Sequence, residues 1–113
     1  MDFNDPSFRE LLDALHDGVY ITDADGITLK VNGAYERLTG LRSEDVVGQH
    51  MQALVEQGVI SQSVSLRVLK EGRALSLMQS VSQGKRLLVS GTPILDATGQ
   101  VRYVVSTCLL YTS

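Results

Sequence analysis

The sequence predicts an α+β domain: one five-stranded antiparallel sheet with short helices on one face and an amphipathic helix at the N-terminal side. The prediction rests first on a change of hydrophobic period along the chain. Phe8, Leu11, Leu12 and Leu15 repeat at helical spacing, two short runs then alternate around Asp25-Gly26, the middle third breaks into brief helical stretches, and alternation returns from Ala74 onward. It rests second on burial, because neither hairpin-type unit can cover a face alone, so the strands are joined in one sheet under the middle helices. With 113 residues, 43% hydrophobic and 20% charged, the chain is one ordinary domain. A chain of this length buries roughly two-thirds of its unfolded surface, enough for a core without disulfide or metal. The expected division is a single domain over 1–113, with an N-terminal helix at 7–17, a core at 18–107 and an atypical or truncated tail at 108–113.

Ser7 followed by Glu10 is a capping-box pattern, and Gly18 offers a left-handed stop for the first helix. Val19 to Thr22 and Ile27 to Val31 alternate as half-buried strands around the tight turn at Asp25-Gly26. Asn32 is a good N-cap for a helix carrying Ala34, Tyr35, Leu38 and Leu41, with Gly40 near its end. Ser43-Glu44-Asp45 before Gly48 repeats the cap and acidic first turn; Met51, Leu54 and Val55 mark a brief helix ended by Gly58. Ser61 or Ser63 starts a longer helix through Val64, Val68 and Leu69 to Gly72. Leu75, Leu77 and Val81 then alternate with serines. A Gln83-Gly84 turn, a strand at 86–95, a turn at Asp96 to Gly99 and a strand from Val101 complete a meander. Pro93 lacks an amide donor and belongs at a bulge or strand end.

Ten basic and thirteen acidic residues give a net charge of −3, with no basic stripe for a phosphate backbone, so nucleic acids and anionic membranes are not expected as direct partners. The N-terminus is acidic and polar rather than signal-like, no apolar run approaches 18 residues, and the lone Cys108 forms no intrachain disulfide. The expected location is the cytoplasm.

Asp23-Ala24-Asp25-Gly26 in the first turn, Asn32 opening the next helix, Tyr35-Glu36 within it, Gly40 and Gly48 after it, and Thr92-Pro93-Ile94 before Asp96 to Gly99 together resemble a PAS sensory domain over about residues 10 to 107. The resemblance is nearest to PAS domains at the front of bacterial sigma-54-dependent transcription activators, and next to those of sensor histidine kinases. It implies a non-catalytic sensory or interaction module of a transcription regulator or two-component system, relaying ligand binding or dimerisation to an output domain absent from this chain. The alternative it leaves is a haem- or flavin-binding PAS sensor of a histidine kinase. The chain departs from the family where an acidic residue usually ends the last strand, a position here held by Leu110.

His16 and His50 have no convergent partners at ligand spacing, so no metal site is expected. Haem sensors of this family place their axial histidine on the long middle helix, which here has none; His50 is the remaining candidate, and haem is not expected. Flavin photosensors place a reactive cysteine where Met51 stands, and a thioether cannot form the adduct, which excludes that chemistry. Cys108 reads as a small hydrophobe, and the serines at 76 to 82 and at 90 as strand residues on a wet face, although a small enzyme using His50 or Cys108 is the contrasting possibility. Asp23 and Asp25 read as turn formers, and the glycines form no phosphate loop. No catalytic residue is assigned. A small-molecule cavity, with its ligand or cofactor unidentified, is expected between the middle helices and the sheet, lined by Tyr35, Leu38, Met51, Met78 and Ser90. Phe8, Leu11, Leu12 and Leu15 can pack on their own sheet or on a second copy, and a symmetric homodimer contact is expected there.

Overall fold

The computed structural model describes residues 2–81 and 84–111. In chain order it contains α1 (Pro6–Asp13), β1 (Gly18–Asp23), β2 (Thr28–Val31), α2 (Gly33–Thr39), α3 (Ser43–Val46), α4 (Met51–Glu56), α5 (Val64–Glu71), β3 (Leu75–Ser80), β4 (Arg86–Leu95) and β5 (Val101–Leu110). The strands form one antiparallel sheet in the order β2-β1-β5-β4-β3, so the first hairpin joins the C-terminal meander through β1 and β5. This is the α+β architecture expected. Among the described residues no helix is long and apolar enough to cross a membrane.

Local chemistry accounts for most elements. The first turn is held by the Asp23 carboxylate, which accepts from the backbone amides of Asp25 (2.9 Å) and Ile27 (3.0 Å), while Gly26 takes φ +85°. Asp96 does the same for the last turn, accepting from the amides of Thr98 and Gln100. Ser63 caps α5 through the amide of Leu66, and Gly72 ends it in the left-handed region. α3 has no side-chain cap of its own. Instead the Glu36 carboxylate reaches from α2 to the amide of Ser43 at 2.8 Å. Pro93 lies inside β4 opposite Val104, beyond Gly91, where pairing with β3 has already ended, so its missing amide breaks no ladder on that side.

Three boundaries differ from expectation. α1 begins at Pro6, because Asp5 is the cap, accepting from the amides of Ser7 (2.8 Å) and Phe8 (3.4 Å), and proline suits the first helical position. The helix stops at Asp13 rather than 17. Asn32, twenty residues away, donates to the carbonyls of Leu12 (2.8 Å) and Asp17 (3.1 Å), and the Asp13 carboxylate accepts from the amide of Gly33 (2.9 Å), so the chain is turned here by contacts distant in sequence. At the other end, residues 108–110 belong to the sheet: Cys108, Leu109 and Leu110 pair with Val89, Leu88 and Leu87, and the amide of Tyr111 donates to Arg86. Gln83 of the expected turn and Thr112 and Ser113 of the tail lie outside the described residues.

Cross-strand partners share a face, which fixes what the sheet presents on each side. The helix-covered inner face carries Gly18, Tyr20 and Thr22 from β1, Val104, Ser106 and Cys108 from β5, Leu87, Val89 and Gly91 from β4, and Leu75, Leu77 and Gln79 from β3. On the outer face Val19, Ile21, Tyr103 and Val105 are covered by Phe3, Phe8 and Leu12. α1 therefore uses Phe8 and Leu12 against its own sheet, while Leu11 is 62% and Leu15 42% exposed.

Candidate functional site

The space between the inner sheet face and helices α2, α4 and α5 is filled with apolar side chains, within which lies a small uncharged polar cluster. Tyr20 and Ser106 are cross-strand partners, Thr22 follows two residues along β1, and Ser65 reaches down from α5 to within 3.4 Å of the Ser106 hydroxyl. The small residues permit this approach. A Cβ on Gly91 would come 2.9 Å from Val68 and 3.2 Å from Val64, so glycine there lets α5 lie directly on β4.

The hydroxyls of Tyr20 and Thr22 are fully buried and, among the described residues, have no hydrogen-bond partner. The Tyr20 hydroxyl lies beside Ser65 and Ser106, whose dipoles offset part of its burial, but it makes no properly aligned bond with either. Burial, the dominant cause, raises the pKa of Tyr20 well above the ordinary phenol range. Tyr35, whose ring centroid stands 5.3 Å from that of Tyr20, is raised likewise. Both phenols are neutral donors at physiological pH. The cluster can recognise an uncharged polar group but supplies no charge to hold an ion.

Of the five expected lining residues, Tyr35 and Met51 are buried in the inner cluster and Leu38 packs against it, with Met51 sulfur accepting from the Thr28 hydroxyl at 3.2 Å. Met78 and Ser90 are not there. Met78 pairs with Leu88 and Ser90 with Ser76 on the outer face, where the two serine hydroxyls meet at 2.8 Å, and the inner positions belong to Leu77 and Val89. The expected parity of β3 and β4 was off by one residue, which exchanges faces. The surface hollows include one of about 150 Å³ on the outer face lined by Phe3, Phe8, Leu12, Ile21 and Tyr103; among the described residues, none of the hollows is lined by any of the five.

His50 caps α4, its Nδ1 accepting from the amide of Gln52 at 3.0 Å, and its Nε2 edge packs over Gly26. The ring is thus committed to the turn beneath it. His16 is exposed. Among the described residues no three of His, Cys, Asp or Glu converge as metal ligands. Cys108 is buried beside Gly18, and burial pushes its thiol up to about 12, so it holds its proton rather than serving as a thiolate. Tyr20, Met51, Val64, Val68, Leu87, Val89 and Val104, each at most 1% exposed, occupy the interior. A haem or flavin ring system does not fit among them in this packing.

Reading the sequence missed Tyr20, Thr22, Ser65 and Ser106. The available signal was the presence of hydroxyl residues inside otherwise apolar strand runs, Val19 to Thr22 and Val104 to Cys108, combined with Ser65 on the apolar side of α5.

No curated protein sequence matches this chain. Among solved structures, it is similar to the PAS domain of a Colwellia psychrerythraea protein, at 17% identity over 91% of this chain and 92% of that one, with a TM-score of 0.69. It is also similar to a sensory box sensor histidine kinase from Vibrio cholerae, at 17% identity over 92% and 89% of the chains with a TM-score of 0.62. A third is VqmA, a Vibrio cholerae protein solved bound to DPO, at 20% identity over 92% of this chain and 56% of that one, with a TM-score of 0.66. The five-stranded sheet, the short helices on its inner face and a match of residues 7–109 to the PAS fold model together place this chain in the PAS family of sensory domains.

Proposed function

We propose that this domain is the sensory input of a bacterial transcription regulator, that it binds a small uncharged molecule against the inner sheet face, and that it acts as a homodimer through α1. The observation that carries the ligand reading is the pair of buried, unpartnered hydroxyls on Tyr20 and Thr22. A buried hydroxyl without a partner costs about 1–3 kcal/mol, and a molecule offering one donor and one acceptor recovers that cost only in the state that encloses it. With no charged side chain in the cluster, the ligand is neutral. Two solved neighbours support this setting without fixing it: VqmA is solved with DPO bound, and a sensor histidine kinase shares the fold.

The dimer reading is supported by Leu11, exposed on a helix whose other apolar side already covers the sheet, and by Leu15, exposed just past the end of that helix. Native mass spectrometry of the purified protein, followed by denaturation and analysis of whatever is released, tests the ligand. A stoichiometric neutral molecule lost in Tyr20→Phe supports the reading, and a protein of the bare chain mass under every gentle condition overturns it. Light scattering of the wild type against Leu11→Asp tests the dimer. A wild type that is monomeric at high micromolar concentration removes it.

A further inference from the structure

We propose that residues 60–63 form a latched flap at the β3 edge of the helix-covered interior, with Gln62 and Gln79 as the latch; this rests on the interior-ligand reading above and concerns how a molecule reaches the site. The chain leaves α4 through Gly58, at φ +74°, and runs along the free edge of β3 before entering α5 at Ser63. It does not pair there as a regular strand. Ile60 makes a single bridge with Val81, the Ser61 amide donates to the Ser80 carbonyl at 2.9 Å, and the Ser80 amide donates to the Ser61 hydroxyl at 2.8 Å.

Two glutamines close the arrangement reciprocally. The Gln62 side-chain amide donates to the Met78 carbonyl at 2.8 Å, and the side-chain amide of the buried Gln79 donates to the Gln62 carbonyl at 2.7 Å. Beyond the one backbone bond of Ser61 to Ser80, side chains stand in for the ladder that a sixth strand would have supplied. Next to the flap are Val64 and Val81, neither more than 4% exposed, and Ser65, which reaches Ser106, while Ile60 of the flap itself is turned inward at 1% exposed. In front is a surface hollow of about 210 Å³ lined by Gln52, Val55, Gln62, Leu66 and Arg67 among others. The flap is the partition between that hollow and the core. Gly72, at φ +71°, gives α5 a second pivot at its far end.

The test uses iodoacetamide, itself a small uncharged amide, as the probe. In a chain carrying Cys108→Ala and Ser65→Cys, the rate at which the introduced thiol is alkylated reports opening beside the flap. Adding Gln62→Ala, alone or with Gln79→Ala, is expected to raise that rate roughly tenfold, since each lost bond shifts the opening equilibrium several-fold. In the chain that keeps Cys108 and Ser65, the native thiol beside Gly18 is expected to keep its slow rate with or without the glutamine substitutions. Gln62 is exposed, so Gln62→Ala alone remains informative if the double variant unfolds. Equal acceleration at both thiols means general loosening and overturns the latch, as does an unchanged rate at position 65. Either result with a co-purified molecule present removes the flap and leaves the ligand, whereas local acceleration in a protein shown to bind nothing keeps the flap and removes the ligand.

Discussion

Replacing Asn32 with alanine removes four hydrogen bonds at one buried point. Its side-chain oxygen accepts from the amides of Val19 (2.8 Å) and Tyr35 (3.0 Å), and its amide donates to the carbonyls of Leu12 (2.8 Å) and Asp17 (3.1 Å). Only the Tyr35 bond is a helix cap, whose loss alone costs about 1 kcal/mol. The other three tie α1 and the turn after it to the start of β1, and at about 1 kcal/mol each they bring the expected loss to about 3–4 kcal/mol. Against a stability of roughly 5–15 kcal/mol for a domain of this size, that is a large share, and it lowers the thermal midpoint by about 15 °C. Asn32→Asp separates the parts. It keeps both acceptor bonds but sets a carboxylate against two carbonyl oxygens, so it is expected to be destabilised near neutral pH and partly restored in mild acid. Urea and thermal unfolding of the three proteins measure this. A loss of about 1 kcal/mol in Asn32→Ala, no larger than an ordinary cap, refutes the bridging role.

The two faces of α1 separate on truncation: Leu12→Ala, at a site 7% exposed, is expected to cost about 2–4 kcal/mol in denaturant unfolding, while Leu11→Ala changes the monomer's stability by less than about 0.5 kcal/mol. Equal losses would mean that α1 sits differently on the sheet. Gly18→Ala drives a methyl into the Cys108 sulfur, so it is expected to destabilise alone and to be much better tolerated with Cys108→Ala; additive losses in a double-mutant cycle would refute that contact. Because the folded thiol is raised from 9.0 to about 12, the native state holds a proton that the unfolded chain has lost between those values. Stability is therefore expected to be full below about pH 9 and to fall as pH rises toward 12, less steeply at first in Cys108→Ala. Urea midpoints that stay level across this range, or identical slopes in the two proteins, would contradict it.

The turns were legible because their determinants are neighbours in sequence. Asp23 with Gly26, and Asp96 with Gly99, carry within five residues both the acceptor and the positive-φ position that they need. The caps of α2 and α5 were legible for the same reason. The end of α1 was not, since it is set by Asn32 and Gly33 on the far side of a hairpin. The parity of β4 was equally hidden, for Leu87, Leu88 and Val89 are all apolar and nothing local distinguishes inward from outward. Their partners decide: Val89 stands opposite Cys108 beneath the helices, and Leu88 opposite Leu109 on the outer face. The interior hydroxyls escaped notice because Tyr20, Ser65 and Ser106 come from three distant segments and meet only in the assembled sheet.

β5 is the one strand through which events in the interior can reach both α1 and the end of the domain. Alternate residues place Val104, Ser106 and Cys108 under the helices and Tyr103 and Val105 under Phe3, Phe8 and α1. β4 pairs with β5 from Val101 to Leu110 and β1 from Tyr103 to Cys108, so Ser106 has a strand on both sides and a displacement there cannot be absorbed by a frayed edge. It must change the twist shared with β1, which tilts Val105 and Tyr103 against α1, or shift the pairing of Leu109 and Leu110 with Leu88 and Leu87. In the proposed reading, an enclosed molecule bonded to Ser106 and Tyr20 would act on two adjacent strands at the same cross-strand pair. The close contact of Gly91 with Val64 and Val68 adds the opposing constraint, since α5 cannot yield toward β4 and must instead lift away from it. The proposed sensing would require a ligand that lifts α5 and pulls β1 toward β5, and so has different contacts in two packings of the same domain.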